Sequence, residues 1–223
     1  MTAAAGLKLT FPLVCLVTDR QVVPETQLAD QAAEAAAGGV NLVQLREKDL
    51  PTRELLALAV ELRLALEPLG VPLVVNGRAD VAFASGAAGV HLPADGLLVS
   101  GARAALGDAY IVGRSVHSAD EARQTAAEAA DYLVLGTIFP SRSHVDGPTL
   151  GTEGVRAAAG GRIPLIAIGG ITPENARSVI AAGADGVAVI SAILGSRDPR
   201  SAAQELNQAV NEAWSSKAIA AHR

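Results

Sequence analysis

Internal disulfide chemistry is closed to this chain, because its 223 residues include one cysteine, Cys15. That residue sits inside an apolar run, where a thiol reads as a small buried hydrophobe rather than a nucleophile. Aromatic residues are scarce, at 3% of the chain, so a core must be packed from Val, Leu, Ile and Ala. Those are the side chains that fill barrel interiors. There is no Lys/Arg-rich run, and the formal charge is −5, which argues against nucleic acid as a partner. No apolar stretch approaches the roughly 20 residues of a membrane span, so no membrane partner is expected. The segment from Met1 to Thr10 carries one Lys and no long apolar core, unlike a signal peptide. The expectation is a cytoplasmic protein.

What the chain does have is rhythm. Short apolar runs at 13–18, 42–46, 73–76, 89–92, 111–113, 132–136, 163–168 and 186–190 alternate with helix-like stretches such as 27–37, 52–69, 119–130 and 173–182. Near-continuous apolar strands separated by helices indicate a parallel sheet covered by helices. Eight such units in this length predict one α/β domain over residues 1–223, a (β/α)₈ TIM barrel. The motifs around Gly86, Ala130 and Gly183 share one grammar: a helix ends at Gly or Ala and a hydrophobic strand follows. Glycine at a helix C-cap accounts for that without invoking function. The longest irregular segment, 139–152, follows the sixth strand, where long loops serve binding. Beyond Lys217 the tail is expected to fray.

Two strand ends point to phosphate. The run Ile163-Pro164-Leu165-Ile166-Ala167-Ile168 stops at Gly169-Gly170-Ile171-Thr172-Pro173. Thr172 suits an N-cap and Pro173 the first helical position. The glycines let an anion reach the backbone, and the helix start offers unpaired N–H donors. A second such junction follows at Asp185-Gly186-Val187-Ala188-Val189-Ile190-Ser191. Phosphate sites of TIM barrels lie after strands seven and eight, so Gly169, Gly170, Ile190 and Ser191 are the expected phosphate-binding residues.

Reacting groups in such a barrel sit at the C-terminal ends of the strands. In Gln44-Leu45-Arg46-Glu47-Lys48 the three residues Gln44, Arg46 and Lys48 alternate and share one side of an extended segment. They suit an anionic ligand; a solvated strand end with Arg46 paired to a carboxylate is the plainer explanation. Asn76, before Gly77-Arg78, orients a ligand or forms a turn. His91 lies within the fourth run, as an interior hydrogen-bonded residue or a reacting one. His117 stands at the rim after Gly113-Arg114-Ser115-Val116, where an imidazole near neutral pKa is a natural proton shuttle, although exposed loop histidines are common. Thr137, Ser141, Ser143 and His144 follow the sixth strand as candidate ligand contacts. No spacing suggests zinc, and there is no dinucleotide-binding G-x-G-x-x-G turn.

These residues resemble the thiamin phosphate synthase/TenI superfamily over nearly the whole chain. The resemblance is carried by Gln44-Leu45-Arg46-Glu47-Lys48, Gly89-Val90-His91-Leu92, Gly136-Thr137-Ile138-Phe139-Pro140 and Ile168-Gly169-Gly170-Ile171-Thr172. Two activities divide that superfamily. Synthases join a pyrimidine pyrophosphate to a thiazole phosphate with Mg²⁺, held by an Asp directly after the strand-three Asn and another in the loop after strand four. Those positions here are Gly77 and, aligned without gaps, Gly96, with Asp95 one residue earlier. The chain resembles TenI-type thiazole tautomerases at Asn76-Gly77-Arg78, Leu92-Pro93 and Gly113-Arg114-Ser115-Val116-His117-Ser118. Its Gln44–Lys48 segment is more similar to the synthase version. The resemblance implies a tautomerase of a phosphorylated thiazole, with His117 as acid/base and no cofactor; the alternative it implies is the Mg²⁺-dependent synthase. A homo-oligomer is left open.

Overall fold

Each apolar run becomes a strand buried on both faces, and eight of them close on one another. The computed structural model describes residues 8–23, 27–125, 128–141 and 147–221. The strands are β1 (Leu13–Val17), β2 (Leu42–Leu45), β3 (Leu73–Asn76), β4 (Gly89–Leu92), β5 (Ile111–Val116), β6 (Tyr132–Gly136), β7 (Leu165–Ile168) and β8 (Gly186–Val189). All neighbours are parallel and follow chain order, and β8 returns to pair with β1 from Leu13↔Gly186 to Leu16↔Val189. The fold is a closed (β/α)₈ TIM barrel, as the alternation of runs predicts. The helices are α1 (Leu28–Ala37), α2 (Thr52–Leu66), α3 (Ala79–Ser85), α4 (Val99–Leu106), α5 (Ala119–Thr125), α6 (Gly151–Ala158), α7 (Pro173–Ala181), α8 (Ser191–Leu194) and α9 (Pro199–Ala221).

Alternation along each strand makes two cores. Leu13, Cys15, Leu42, Val74, Ile111, Tyr132, Ile166 and Ala188 fill the barrel interior. Val14, Leu16, Val43, Leu45, Val75 and Val112 face outward onto the helices. Cys15 lies in the inner core and is free, with its thiol pushed up by burial, which makes it unreactive. Helix α9 packs on α1 and α7, beside the β8–β1 seam. None of the described helices is long and apolar enough to cross a membrane.

The strand ends differ from the apolar runs where a partner decides. β5 continues three residues past Gly113, because β6 offers pairing partners up to Val116↔Leu135. β2 stops at Leu45, because the Thr18 hydroxyl takes the Arg46 N–H at 2.9 Å in place of a ladder bond. Helix α9 runs through Ala221, past the Lys217 where fraying is expected.

Candidate functional site at the barrel mouth

The top interior layer is polar. Gln44, Asn76, His91 and Ser115 point inward from β2, β3, β4 and β5 by the same alternation that points Leu42, Val74 and Ile111 inward below them. Gln44 Nε2 donates to Asn76 Oδ1 at 3.1 Å. His91 is buried, with Nε2 2.8 Å from Ser115 Oγ and Nδ1 3.2 Å from Tyr132 Oη. Burial, helped by the positive charges of Arg46 and Arg114, drives the His91 pKa down to about 3, so the ring is neutral. Arg46 directly follows β2 at the mouth and is half-buried. Among the described residues it has no ion-pair partner, which leaves its charge available to an anion.

The carboxylate next to Arg46 is engaged elsewhere. Glu47 is buried, accepts from the Thr18 hydroxyl at 2.7 Å, and accepts from the Arg20 N–H at 3.2 Å. Burial raises its pKa, and those hydrogen bonds oppose the rise. Glu47 thus ties the end of β2 to the end of β1 and braces the segment that carries Arg46. Arg114 does the same for the loop after β4, donating to the carbonyls of Leu97 and Ala94 at 2.8 and 2.9 Å.

Across the mouth, the turn after β7 is built for close backbone approach. Gly169 and Gly170 have φ +105° and +62°, and a Cβ on Gly170 would fall 2.4 Å from the Pro140 carbonyl oxygen. Only glycine fits such a position without strain. Asn175 locks the turn: its Nδ2 donates to the Gly170 carbonyl at 2.8 Å, and its Oδ1 accepts from the Thr172 N–H at 2.9 Å. The loop after β6 is strapped to this turn, with Ile138 N–H donating to Ile168 O and Phe139 N–H to Gly169 O. Ile190 and Ser191 lie at the start of α8, beyond the end of β8.

The expected site residues divide accordingly. Gln44, Asn76 and Arg46 share the mouth, whereas Lys48 is exposed in the turn after β2 because the strand and its alternation stop at Leu45. Gly169, Gly170, Ile190 and Ser191 lie at the ends of β7 and β8. Thr137 packs its methyl group toward Gly169, its carbonyl accepts from Leu150 N–H at 2.9 Å, and Ser141 is half-buried beyond it. Ser143 and His144 lie outside the described residues. His117 follows β5 directly, but its side chain is 61% exposed and turns to Glu121, with Nδ1 3.5 Å from Oε2. The Glu121 carboxylate also accepts the His117 backbone N–H at 2.8 Å. Ser115, Tyr132, Glu47 and Arg114 were not singled out by the sequence; a strict inward/outward count along β5 would have found Ser115.

Magnesium, as implied by the synthase side of the resemblance, does not fit these residues. Gly77 turns at φ +68°, and a Cβ placed there or on Gly96 would lie 3.6 or 3.1 Å from Pro93 Cδ. The two positions therefore both lie against one proline ring. Both are glycine, which offers no side-chain carboxylate, and Mg²⁺ is held through one or two carboxylates in near-octahedral oxygen coordination. Among the described residues no three His, Cys, Asp or Glu side chains gather where they could hold a metal ion.

Comparison with known proteins places the chain. The thiamine monophosphate synthase family model matches residues 14–193. A thiamine-phosphate synthase of Moorella thermoacetica is 46% identical over 181 residues, covering 80% of this chain and 86% of that protein. One from Albidiferax ferrireducens is 43% identical over 212 residues, covering 94% and 97%. The solved thiamine phosphate pyrophosphorylase from Pyrococcus furiosus superposes with a TM-score of 0.82 at 37% identity, covering 90% of this chain and 96% of that one. A family match over most of the chain, with relatives this similar on the same closed barrel, makes this protein a member of the thiamine monophosphate synthase family.

Proposed function

We propose that this protein is a thiazole tautomerase of thiamin biosynthesis. It would convert a thiazoline-ylidene carboxylate phosphate into the aromatic thiazole carboxylate phosphate, by moving a proton from ring C2 to the exocyclic carbon. The observation that carries the reading is the pair of glycines, Gly77 and Gly96, flanking Pro93 where the synthases of the resemblance hold magnesium. A proton shift makes no demand on that pair, whereas departure of diphosphate does. In this reading the phosphate rests on the backbone at Gly169, Gly170, Ile190 and Ser191. Arg46 faces the substrate carboxylate, with Gln44 and Asn76 beside it. Holding the phosphate fixes the ring in the mouth, so remote binding supplies orientation for the proton transfer. His117 takes the proton and returns it, which requires its ring to leave Glu121 and turn inward. Thr137, Ser141, Ser143 and His144, in the segment after β6, and Lys48 remain candidate substrate contacts.

The second reading is thiamin phosphate synthase. It is favoured by the names of the relatives, which are synthases at 43–46% identity, and by the likeness of Gln44–Lys48 to the synthase version of that segment.

His117→Gln tests the acid/base assignment. Isomerisation is expected to fall by about 10²–10⁴-fold, as for loss of a general acid/base, while thiazole phosphate binding measured by calorimetry stays near wild type. Full turnover in that variant would remove His117 from the reaction.

A further inference from the structure

Three inward-facing side chains have no part in the reaction above: Tyr132, His91 and Ser115. Tyr132 and His91 are 0% and 1% exposed. Their rings lie 5.6 Å apart, and Gly113 makes the room, since a Cβ there would fall 2.5 Å from the phenol oxygen. His91 Nδ1 is 3.2 Å from Tyr132 Oη, and Nε2 is 2.8 Å from Ser115 Oγ.

A neutral imidazole carries one hydrogen, so the chain runs one of two ways. In the first, the Nδ1–H donates to Tyr132 Oη and the Ser115 hydroxyl donates to Nε2. The phenol hydrogen then needs another acceptor inside the barrel. None is bonded to it among the described residues, and Cys15, which shares that inner core, offers only a thiol, a weak acceptor. A buried donor left unmade loses its hydration with nothing in return. In the second, Tyr132 donates to Nδ1, Nε2–H donates to Ser115 Oγ, and every buried hydrogen is used. The Ser115 hydrogen is then the only one left over, on a half-buried hydroxyl at the top of β5.

We propose that Tyr132 and His91 form a buried, proton-ordered chain that fixes Ser115 as a hydrogen-bond donor to an acceptor atom of the ligand in the barrel mouth. Tyr132 and His91 are therefore positioning residues; neither touches the ligand. A doubly protonated ring would break the order, and it is suppressed by burial and by the neighbouring cations. The proton order holds under either functional reading, while the ligand arm rests on the thiazole phosphate site proposed above.

The test uses the full-length protein with isotope-labelled histidine nitrogens. Long-range proton–nitrogen spectra at neutral pH, with His91 assigned by comparison with His91→Gln, report the tautomer directly. The expected result is a neutral ring with its hydrogen on Nε2. A hydrogen on Nδ1, or a charged ring, overturns the proposal. Tyr132→Phe removes the donor to Nδ1 and is expected to release the ring from that single tautomer; a ring unchanged in that variant counts against the chain. Ser115→Ala is expected to weaken thiazole phosphate binding about tenfold, the loss of one hydrogen bond to a charged or strongly accepting group. Wild-type affinity in Ser115→Ala overturns its donor role. A wild-type protein that binds no thiazole phosphate refutes the ligand assigned above, and the spectrum then decides the proton order alone.

Discussion

At the residue scale, the neutral ring of His91 has a thermodynamic consequence. An unfolded histidine titrates at about pH 6.5, and in the fold His91 is held down to about 3. Between those values the unfolded chain takes up a proton that the fold refuses. Stability is therefore complete above the unfolded value and falls as pH drops through the window, by about 1.4 kcal/mol per pH unit for one group. Glu47 acts in the opposite sense. Its raised pKa lets the fold bind a proton before the unfolded chain does, which offsets part of the loss in the carboxylate range. Urea melts at successive pH values should show wild-type stability declining below about pH 6.5, with a shallower decline in His91→Gln. Equal slopes in the two proteins would assign the acid loss to other groups. The position of His91 inside Gly89-Val90-His91-Leu92 marks it in sequence as a strand residue with an interior reading. Its partner does not show there, because Tyr132 is 41 residues away and only the β4–β5–β6 register brings the two together.

At the scale of elements, the turn after β7 and the loop after β6 form one unit. Gly170→Ala would force an L side chain into the left-handed region and drive its Cβ against the Pro140 carbonyl. The expected outcome is a loss of about 1–2 kcal/mol for the backbone strain alone, together with weaker phosphate binding. Denaturant melts and calorimetry with inorganic phosphate check the two effects; a variant with both unchanged would show that the strap between the loops has no role in holding the turn. The glycines, Thr172 and Pro173 announce this turn in the sequence, and the structure seats them at the start of α7. Asn175, which ties the turn down from within α7, carries no such signal, because its two bonds reach back to Gly170 and Thr172 across the helix start. Helix α8 is too short, at four residues, to show a period of its own. The end of β2 is equally hidden: alternation predicts that Lys48 joins Gln44 and Arg46, and the Thr18 hydroxyl, just after β1, stops the strand first.

At the scale of the molecule, eight apolar runs were enough to predict the barrel, because a strand buried between helices and a closed interior must be apolar on both faces. The interior confirms the aliphatic reading, with Tyr132 as the one aromatic residue among its fully buried members. The activity is less legible than the fold. Family membership is carried by residues 14–193, whereas the proposed choice of proton transfer over condensation turns on a few positions around Pro93 and on His117. The most direct test supplies the purified protein with the thiazoline-ylidene carboxylate phosphate in the presence of a chelator. In parallel, it is supplied with the pyrimidine pyrophosphate, thiazole phosphate and Mg²⁺. The account predicts isomerisation in the first reaction and no thiamin phosphate in the second; magnesium-dependent thiamin phosphate without isomerisation would contradict it.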